Sequence, residues 1–411
     1  MRARPAARTH PAVGAAPPHE ADPADDQVPA AGGLAALLES VAEEILAVTY
    51  WFDPLPHPAP YPVTVRFAGR RVDVEGPLQP GDRFVQEETI AAVVPGSGPV
   101  ALTARVRGVN PGAWAVTAQI QGAGRPTHAR RKRRDAAEAS PAAGLVVSRY
   151  PLLVRLWHAW ASATGPSVDT AEPVHTCLIP FARVPGIVPV IWAVMLALGI
   201  LVALVAQAVV LAHDHLVAGP VLITTIASIA VGAAGARLWF VVKHRRERQY
   251  AGWCIQGFIT GASLAAVLLF TALRMPTGTV LDVTAPGLLF AMAVGRVGCF
   301  LAGCCGGPPT ASRWGVWSSD QRVGARRVPT QLMESGVALI LGIVVLVGVV
   351  GRGPAGGAYF VAALAAYTLA RQGILRLRAE PVTTRLGVPV VAVVSALALA
   401  GAIVAVVVLA R

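Results

Sequence analysis

The sequence predicts an all-α polytopic membrane bundle of about seven transmembrane helices, with a small soluble β domain at its N-terminal end. Three observations predict it. Hydrophobic residues make up 54% of the 411 and charged residues only 14%. Mean hydropathy is +0.57, and the apolar residues concentrate after residue 183. Before that point the apolar residues instead alternate with polar ones in short runs bounded by turn-forming residues, which is the pattern of half-buried strands. The two halves therefore belong to different solvents.

Residues 1–33 are rich in Ala, Pro and Asp and nearly free of large apolar side chains. Such a segment cannot bury enough surface to offset chain entropy, so it is expected to be a disordered tail. Polar, Pro-rich sequence follows Arg2, Arg4 and Arg8 where a secretory signal needs an apolar core, so no such signal is read here. Residues 34–122 are expected to form one helix and a small β-sandwich-like domain. Leu34, Leu37, Leu38, Val41, Ile45 and Val48 recur at helical spacing with Glu39, Glu43 and Glu44 off that face, predicting an amphipathic helix. Tyr61-Val63-Val65-Phe67, Val100-Leu102-Ala104-Val106 and Trp114-Val116-Ala118-Ile120 alternate with polar residues. Turns at Gly96-Ser97-Gly98 and Asn110-Pro111-Gly112 punctuate them, so these three runs predict antiparallel strands. Trp51, Trp114 and the Tyr50-Trp51-Phe52 cluster are read as core.

Residues 123–180 read as a basic linker and an interfacial segment. The linker holds Arg130-Arg131-Lys132-Arg133-Arg134, and Trp157, His158 and Trp160 follow. The net charge of +12 could point to nucleic acid, but the basic residues sit beside predicted spans, where lipid headgroups and topology account for them. No nucleic-acid partner is expected; the bilayer is. Residues 181–411 form the transmembrane domain. Its spans fall at about 187–211, 221–242, 253–273, 285–303, 331–350, 355–375 and 386–409, each long enough to cross ~30 Å of hydrocarbon as helix.

Inside that apolar half one stretch stands out, Gly295-Arg296-Val297-Gly298-Cys299-Phe300-Leu301-Ala302-Gly303-Cys304-Cys305-Gly306-Gly307. An ionisable residue within a membrane is by default a functional hypothesis. Arg237 and Arg371 stand in two further spans. The five cysteines (Cys177, Cys254, Cys299, Cys304, Cys305) are too few and too apolar in setting for a disulfide scaffold. Neither His175 with Cys177 nor the cluster Cys299, Cys304, Cys305 has a full ligand complement, so no metal is expected. Cys304 or Cys305 could act as a nucleophile, although a buried cysteine ordinarily behaves as a small hydrophobe.

The pattern resembles that of the phosphatidylglycerol–prolipoprotein diacylglyceryl transferases of bacterial membranes, a seven-helix family. Its signature, Gly-Arg-x-Gly-Asn-Phe-x-Asn-x-Glu-x-x-Gly, is similar to the stretch from Gly295 to Gly307. Its Arg-His-Pro-Ser-Gln-Leu-Tyr-Glu resembles Arg327-Val328-Pro329-Thr330-Gln331-Leu332-Met333-Glu334. Tyr367, Arg371 and Arg378 are similar to its Tyr-Gly-x-x-Arg and the arginine seven residues on. Arg237 resembles the arginine of its Gly-Arg-x-Gly-Tyr, and Asp282-Val283-Thr284-Ala285-Pro286 its Asp-x-x-Ala-Pro. These matches span about residues 185–410. Where the family pattern has His-Gly-Gly, this chain has Gln256-Gly257-Phe258. Cys299 stands for its asparagine, Cys304 for its glutamate, and Leu375 for the glutamate between its two arginines.

The resemblance implies a multi-pass protein of the bacterial plasma membrane. It implies transfer of a diacylglyceryl group from phosphatidylglycerol to the lipobox cysteine of a prolipoprotein, without a cofactor. Alternatives are a related transferase with another acceptor, or a non-catalytic phospholipid-binding protein. The implied catalytic residues are Arg296, Arg371 and Glu334. Guanidiniums suit a phosphate because they stay charged and bind it bidentately. The implied substrate contacts are Arg237, Gln256, Gly257, Gly298, Cys299, Cys304, Gly307, Arg327, Gln331, Tyr367 and Arg378. Lys and Arg counts in short loops place the β domain in the cytoplasm, whereas the resemblance implies that it faces outward.

Overall fold

The computed structural model describes residues 44–121, 167–169, 173–179, 182, 184–243, 255–379 and 387–409. The expected tail over residues 1–33 and the basic run Arg130–Arg134 lie outside the described residues. Among the described residues there are ten strands and seven helices. Two five-element sheets hold the strands β1 (Glu44–Phe52), β2 (Tyr61–Arg71), β3 (Arg83–Val93), β4 (Val100–Val106), β5 (Ala113–Gln121), β6 (Ser167–Asp169), β7 (Val174–His175), β8 (Cys177–Leu178), β9 (Val316–Ser319) and β10 (Val323–Arg327). One sheet runs β8-β1-β4-β10-β9. The other runs β3-β2-β5-β6, with β7 also pairing β5.

The strands expected at 61–67, 100–106 and 114–120 are β2, β4 and β5, and their inward residues make the core. Val63, Val65 and Phe67 of β2 and Trp114, Val116 and Ala118 of the neighbouring β5 share one sheet face and pack in one core with Leu102 and Ala104 of β4 in the other sheet. Trp51 and Trp114 are buried, as the core reading expects. The helix expected over Leu34–Val48 is corrected by the structure. Residues 44–52 form strand β1, antiparallel to β4 with Val48 opposite Ala104. Leu34–Val41 lie outside the described residues. The interfacial segment is also partly strand, since β6 and β7 pair with β5 and β8 pairs with β1.

The transmembrane part does not stand apart from this sandwich. Between its fourth and fifth helices the chain makes the hairpin β9–β10, and β10 pairs with β4 through Val323–Leu102 and Gly324–Ala101. Trp51 stacks on Trp317 of β9 with ring centroids 5.4 Å apart, and Trp317 donates Nε1–H to Pro99 O at 3.0 Å. Arg322 adds an ion pair to Glu88 at 2.8 Å and a hydrogen bond to Thr89 O at 2.7 Å on β3.

The helices are α1 (Ile191–His213), α2 (Ala218–Lys243), α3 (Ile255–Ala272), α4 (Thr277–Ala302), α5 (Thr330–Arg352), α6 (Ala358–Leu375) and α7 (Gly387–Leu409). Six of these helices are long and apolar enough to cross a membrane; α3 is not among them. The chain is a multi-pass membrane protein. Without a hydrophobic drive between helices in lipid, close packing comes from small residues. A Cβ on Gly235 of α2 would lie 2.7 Å from Gly257 O of α3, and one on Gly287 of α4 would lie 2.5 Å from Ala203 O of α1.

Asp282 of α4 is fully buried yet well satisfied. Its carboxylate accepts the backbone N–H groups of Ala355, Gly357 and Phe360 at 2.7, 2.9 and 3.0 Å. It thereby caps the N-terminus of α6, whose first amides have no partner in their own helix. That bond fixes α6, and so Tyr367 and Arg371, against α4.

Candidate functional site

Arg296, Glu334, Tyr367 and Arg378 converge from α4, α5, α6 and the turn after α6. Arg296 sits two turns before the end of α4, and Glu334 one turn into α5. Glu334 is 1% exposed. Arg296 Nε lies 2.6 Å from Glu334 Oε2, and Arg378 Nη2 donates to Glu334 Oε1 at 2.8 Å. The Arg296 approach is charge to charge rather than along an N–H vector, since Oε2 gains no hydrogen bond among the described residues. Two guanidiniums facing one carboxylate leave a positive charge in excess. Burying such charge without compensation costs several kcal/mol per ion, on the order of the whole stability of a domain.

The cluster also carries unused donors. Tyr367 Oη and Arg378 Nε are buried without a hydrogen-bond partner among the described residues, and Tyr367 lies close enough to Arg296 to feel its charge. Arg371 follows Tyr367 by one helical turn, on the same face of α6. It is half-buried and has no partner among the described residues. Ser335, next to Glu334, donates to Ala293 O at 2.8 Å and ties α5 to α4 here.

A second group surrounds the loop after α4. The loop begins at Gly303, whose φ of 72° is left-handed and whose added Cβ would lie 2.6 Å from Ser319 O. The start of α5 holds the loop's carbonyls. Gln331 Nε2 donates to Cys304 O at 2.8 Å, and Thr330 Oγ1 to Cys305 O at 3.1 Å. Gly307 donates to Val328 O at 3.1 Å in an approach that leaves no room for a side chain. Arg327, 7% exposed, donates Nη2–H to Asp320 Oδ2 at 2.5 Å and to Val323 O at 3.2 Å. A cavity of about 340 Å³ opens beside this loop, lined by Cys304, Cys305, Ser318, Asp320, Arg327 and Gln331 among others. Hydrogen bonding to Cys299, then to Cys305, together with burial, pushes the Cys304 thiol above its ordinary range.

The residues expected at the site thus divide. Arg296, Glu334, Tyr367 and Arg378 come together, with Cys299 one turn from Arg296. Cys304, Gly307, Arg327 and Gln331 form the loop group. Gly298 packs on α1, where an added Cβ would lie 2.7 Å from Met195 Cβ. Gly257 packs on α2, and Arg237 lies on α2, which packs chiefly against α3. Gln256 is the second residue of α3, and its side chain lies outside the described residues. Asp320, the partner of Arg327, was not expected from the sequence. Its only signal is the turn Asp320-Gln321-Arg322-Val323, where Asp320 Oδ1 accepts the N–H groups of Arg322 and Val323.

The family model for prolipoprotein diacylglyceryl transferase matches residues 181–409, more than half of the chain. The chain is similar to phosphatidylglycerol–prolipoprotein diacylglyceryl transferase 2 of Clostridium perfringens, 29% identical over 135 residues, covering 30% of this chain and 53% of that protein. It is 33% identical over 87 residues to the phosphatidylglycerol–prolipoprotein diacylglyceryl transferase of Clostridium tetani, covering 20% and 35%. With that of Dehalococcoides mccartyi strain 195 it shares 38% over 87 residues, covering 20% and 34%. The chain spans about half or less of the length of these curated relatives. On the matched helices and the residues they bring together, the chain belongs to the prolipoprotein diacylglyceryl transferase family.

Proposed function

We propose that this protein transfers a diacylglyceryl group from phosphatidylglycerol to a cysteine thiol of a prolipoprotein in the bacterial plasma membrane. The observation that carries the reading is the cluster of Arg296 and Arg378 on the single buried carboxylate of Glu334, with Arg371 half-buried one turn from Tyr367 and without a partner among the described residues. Excess guanidinium charge in a low-dielectric bundle suits a phosphate diester.

In the reaction the acceptor sulfur attacks the glyceryl carbon bonded to the phosphate oxygen. A C–S bond forms, the C–O bond breaks, and its electron pair leaves on the phosphate of glycerol-1-phosphate. The departing phosphate accepts the thiol proton. Arg296 and Arg371 bind the phosphate and oppose the charge that grows on it, a preorganised electrostatic role. Glu334 acts as a positioning residue, holding Arg296 and Arg378 in place by neutralising part of their charge. Tyr367 offers its unused hydroxyl to a phosphate oxygen. Gln256, which cannot titrate, supplies no base.

Complementation tests this reading. In a bacterium depleted of its own diacylglyceryl transferase, the wild-type chain should restore lipid-modified lipoprotein, read as a mass increase, and Arg296→Ala should not. A well-expressed wild-type chain that restores nothing overturns the prolipoprotein acceptor. In that case labelled phosphatidylglycerol tested with other thiol, amine and hydroxyl acceptors separates a different transferase from a lipid-binding protein.

A further inference from the structure

The end of α4 is built as a Schellman motif. Gly303 takes the left-handed conformation, its N–H bonds Phe300 O at 3.3 Å, and the N–H of Cys304 bonds Cys299 O at 3.1 Å. This motif brings the side chain three residues before the cap onto the side chain that follows the left-handed residue, and apolar residues normally fill both positions. Here both are cysteines. Cys304 Sγ lies 3.7 Å from Cys299 O, and hydrogen-bond interactions link its thiol to those of Cys299 and Cys305. Cys299 and Cys304 are in no disulfide, and all three cysteines are of intermediate exposure. Cys304 lines the 340 Å³ cavity, which leaves open space beside its thiol for a small reactant.

We infer that Cys299 and Cys304 form a reversible redox pair, oxidised to an intramolecular disulfide by exchange with a disulfide of low molecular weight. One thiol attacks the reagent as thiolate and expels one thiol of the reagent, leaving a mixed disulfide. The other then attacks the mixed disulfide, the Cys299–Cys304 bond closes, and a second reagent thiol leaves. The two electrons pass to the reagent, and the two protein thiol protons end on its two released thiols. The helix cap holds the two side chains together in the reduced state, so closure needs no large backbone movement. The site is distinct in chemistry from the lipid transfer proposed above and does not rest on it.

The test uses the full chain in native membranes, equilibrated with increasing ratios of oxidised to reduced glutathione, then alkylated, digested and read by mass spectrometry. The expected result is loss of two alkylatable thiols per chain, a cross-linked peptide pair joining Cys299 to Cys304, and full recovery with dithiothreitol. This mapping on the wild type needs no folded variant. Cys305→Ser should leave the cross-link in place, whereas Cys299→Ser should abolish it. A cross-link between Cys304 and Cys305 only, glutathione adducts that never resolve, or three thiols unchanged at the most oxidising ratio would each overturn the pair.

Discussion

Asp282 and Glu334 are both carboxylates buried in a membrane bundle, and the fold treats them in opposite ways. Asp282 accepts three backbone N–H groups at the start of α6, so its charge is spread over a helix end that needs an acceptor. Every demand at that position is met within the protein. Glu334 faces two guanidiniums, and the residues around it keep unused donors on Arg378 and Tyr367. Buried polar groups are normally satisfied, so a cluster that is not marks a place where something else binds. The first carboxylate builds the scaffold; the second holds a charge surplus in place on it.

Four experiments can break or sharpen that contrast. The largest effect is expected at Asp282. Asp282→Ala strands the amides of Ala355, Gly357 and Phe360 at the entry to α6 in an apolar setting, at about 1–3 kcal/mol for each unsatisfied group. Thermal unfolding in detergent should show the protein strongly destabilised or absent from the membrane. Asp282→Asn should retain part of the stability, because its amide oxygen still accepts.

Arg296→Lys should separate the second site from the first. A lysine keeps the charge but loses the planar fork, so lipid transfer should fall by about 10²–10³-fold, the loss typical for removing one preorganised donor. The unfolding midpoint should move little. An unfolding shift as large as that of Asp282→Ala would assign Arg296 to the scaffold instead.

A smaller effect is expected where the β sandwich meets the membrane part. Trp317→Ala removes the stack on Trp51, worth about 0.5–1.5 kcal/mol beyond its buried area. Hydrogen exchange should speed up in β10 and β4 while α4–α6 keep their protection. The smallest effect is a pH dependence in the sandwich. The hydrogen bond from Asn110, then that from the Gln79 backbone, and the Arg71 guanidinium hold Asp82 below the usual carboxylate range. Its contribution to stability is therefore present above the ordinary Asp pKa and is lost as pH falls through the lower folded value. Asp82→Asn should lower the sandwich's stability at neutral pH, where the carboxylate's contribution is present, and flatten the acid limb of its stability curve.

Much of this was legible from residue spacing. The seven helices follow from apolar length, and β2, β4 and β5 from strict alternation. Strand β1 was not legible because its sheet is covered on both faces. Tyr50 faces the sandwich core while Trp51 packs under Trp317, so Glu44–Phe52 is apolar on both faces apart from Glu44 and Thr49 and shows no period of two. Strand β3 is an edge strand whose exposed face carries Val85 while Gln86 and Glu88 lie on the inner face with Phe84 and Ile90, so its alternation is masked. The pairing of β10 with β4 joins residues more than 200 apart in sequence and has no local signature.

At the site, Arg296, Arg237 and Arg371 stand out because charge in an apolar helix is rare, and Glu334 through the family resemblance. The division of the site residues into two groups does not. Arg327 reads in sequence like Arg296, yet Asp320 and two carbonyls occupy much of its guanidinium. Only the tertiary hairpin brings that aspartate near. Gly298 and Gly257 likewise read as part of a ligand motif, and the bundle uses both for close helix contact.

The most direct test of the account is a reconstituted transfer. Purified protein in vesicles containing labelled phosphatidylglycerol is given a synthetic lipobox peptide, and the peptide's mass is followed for wild type, Arg296→Lys and Arg371→Ala. The account predicts that wild type yields the diacylglyceryl thioether with release of glycerol-1-phosphate, and that both variants, folded and lipid-embedded, lose most of that rate. Wild-type turnover that survives in both variants would contradict it, because the surplus guanidinium charge would then have no part in the chemistry.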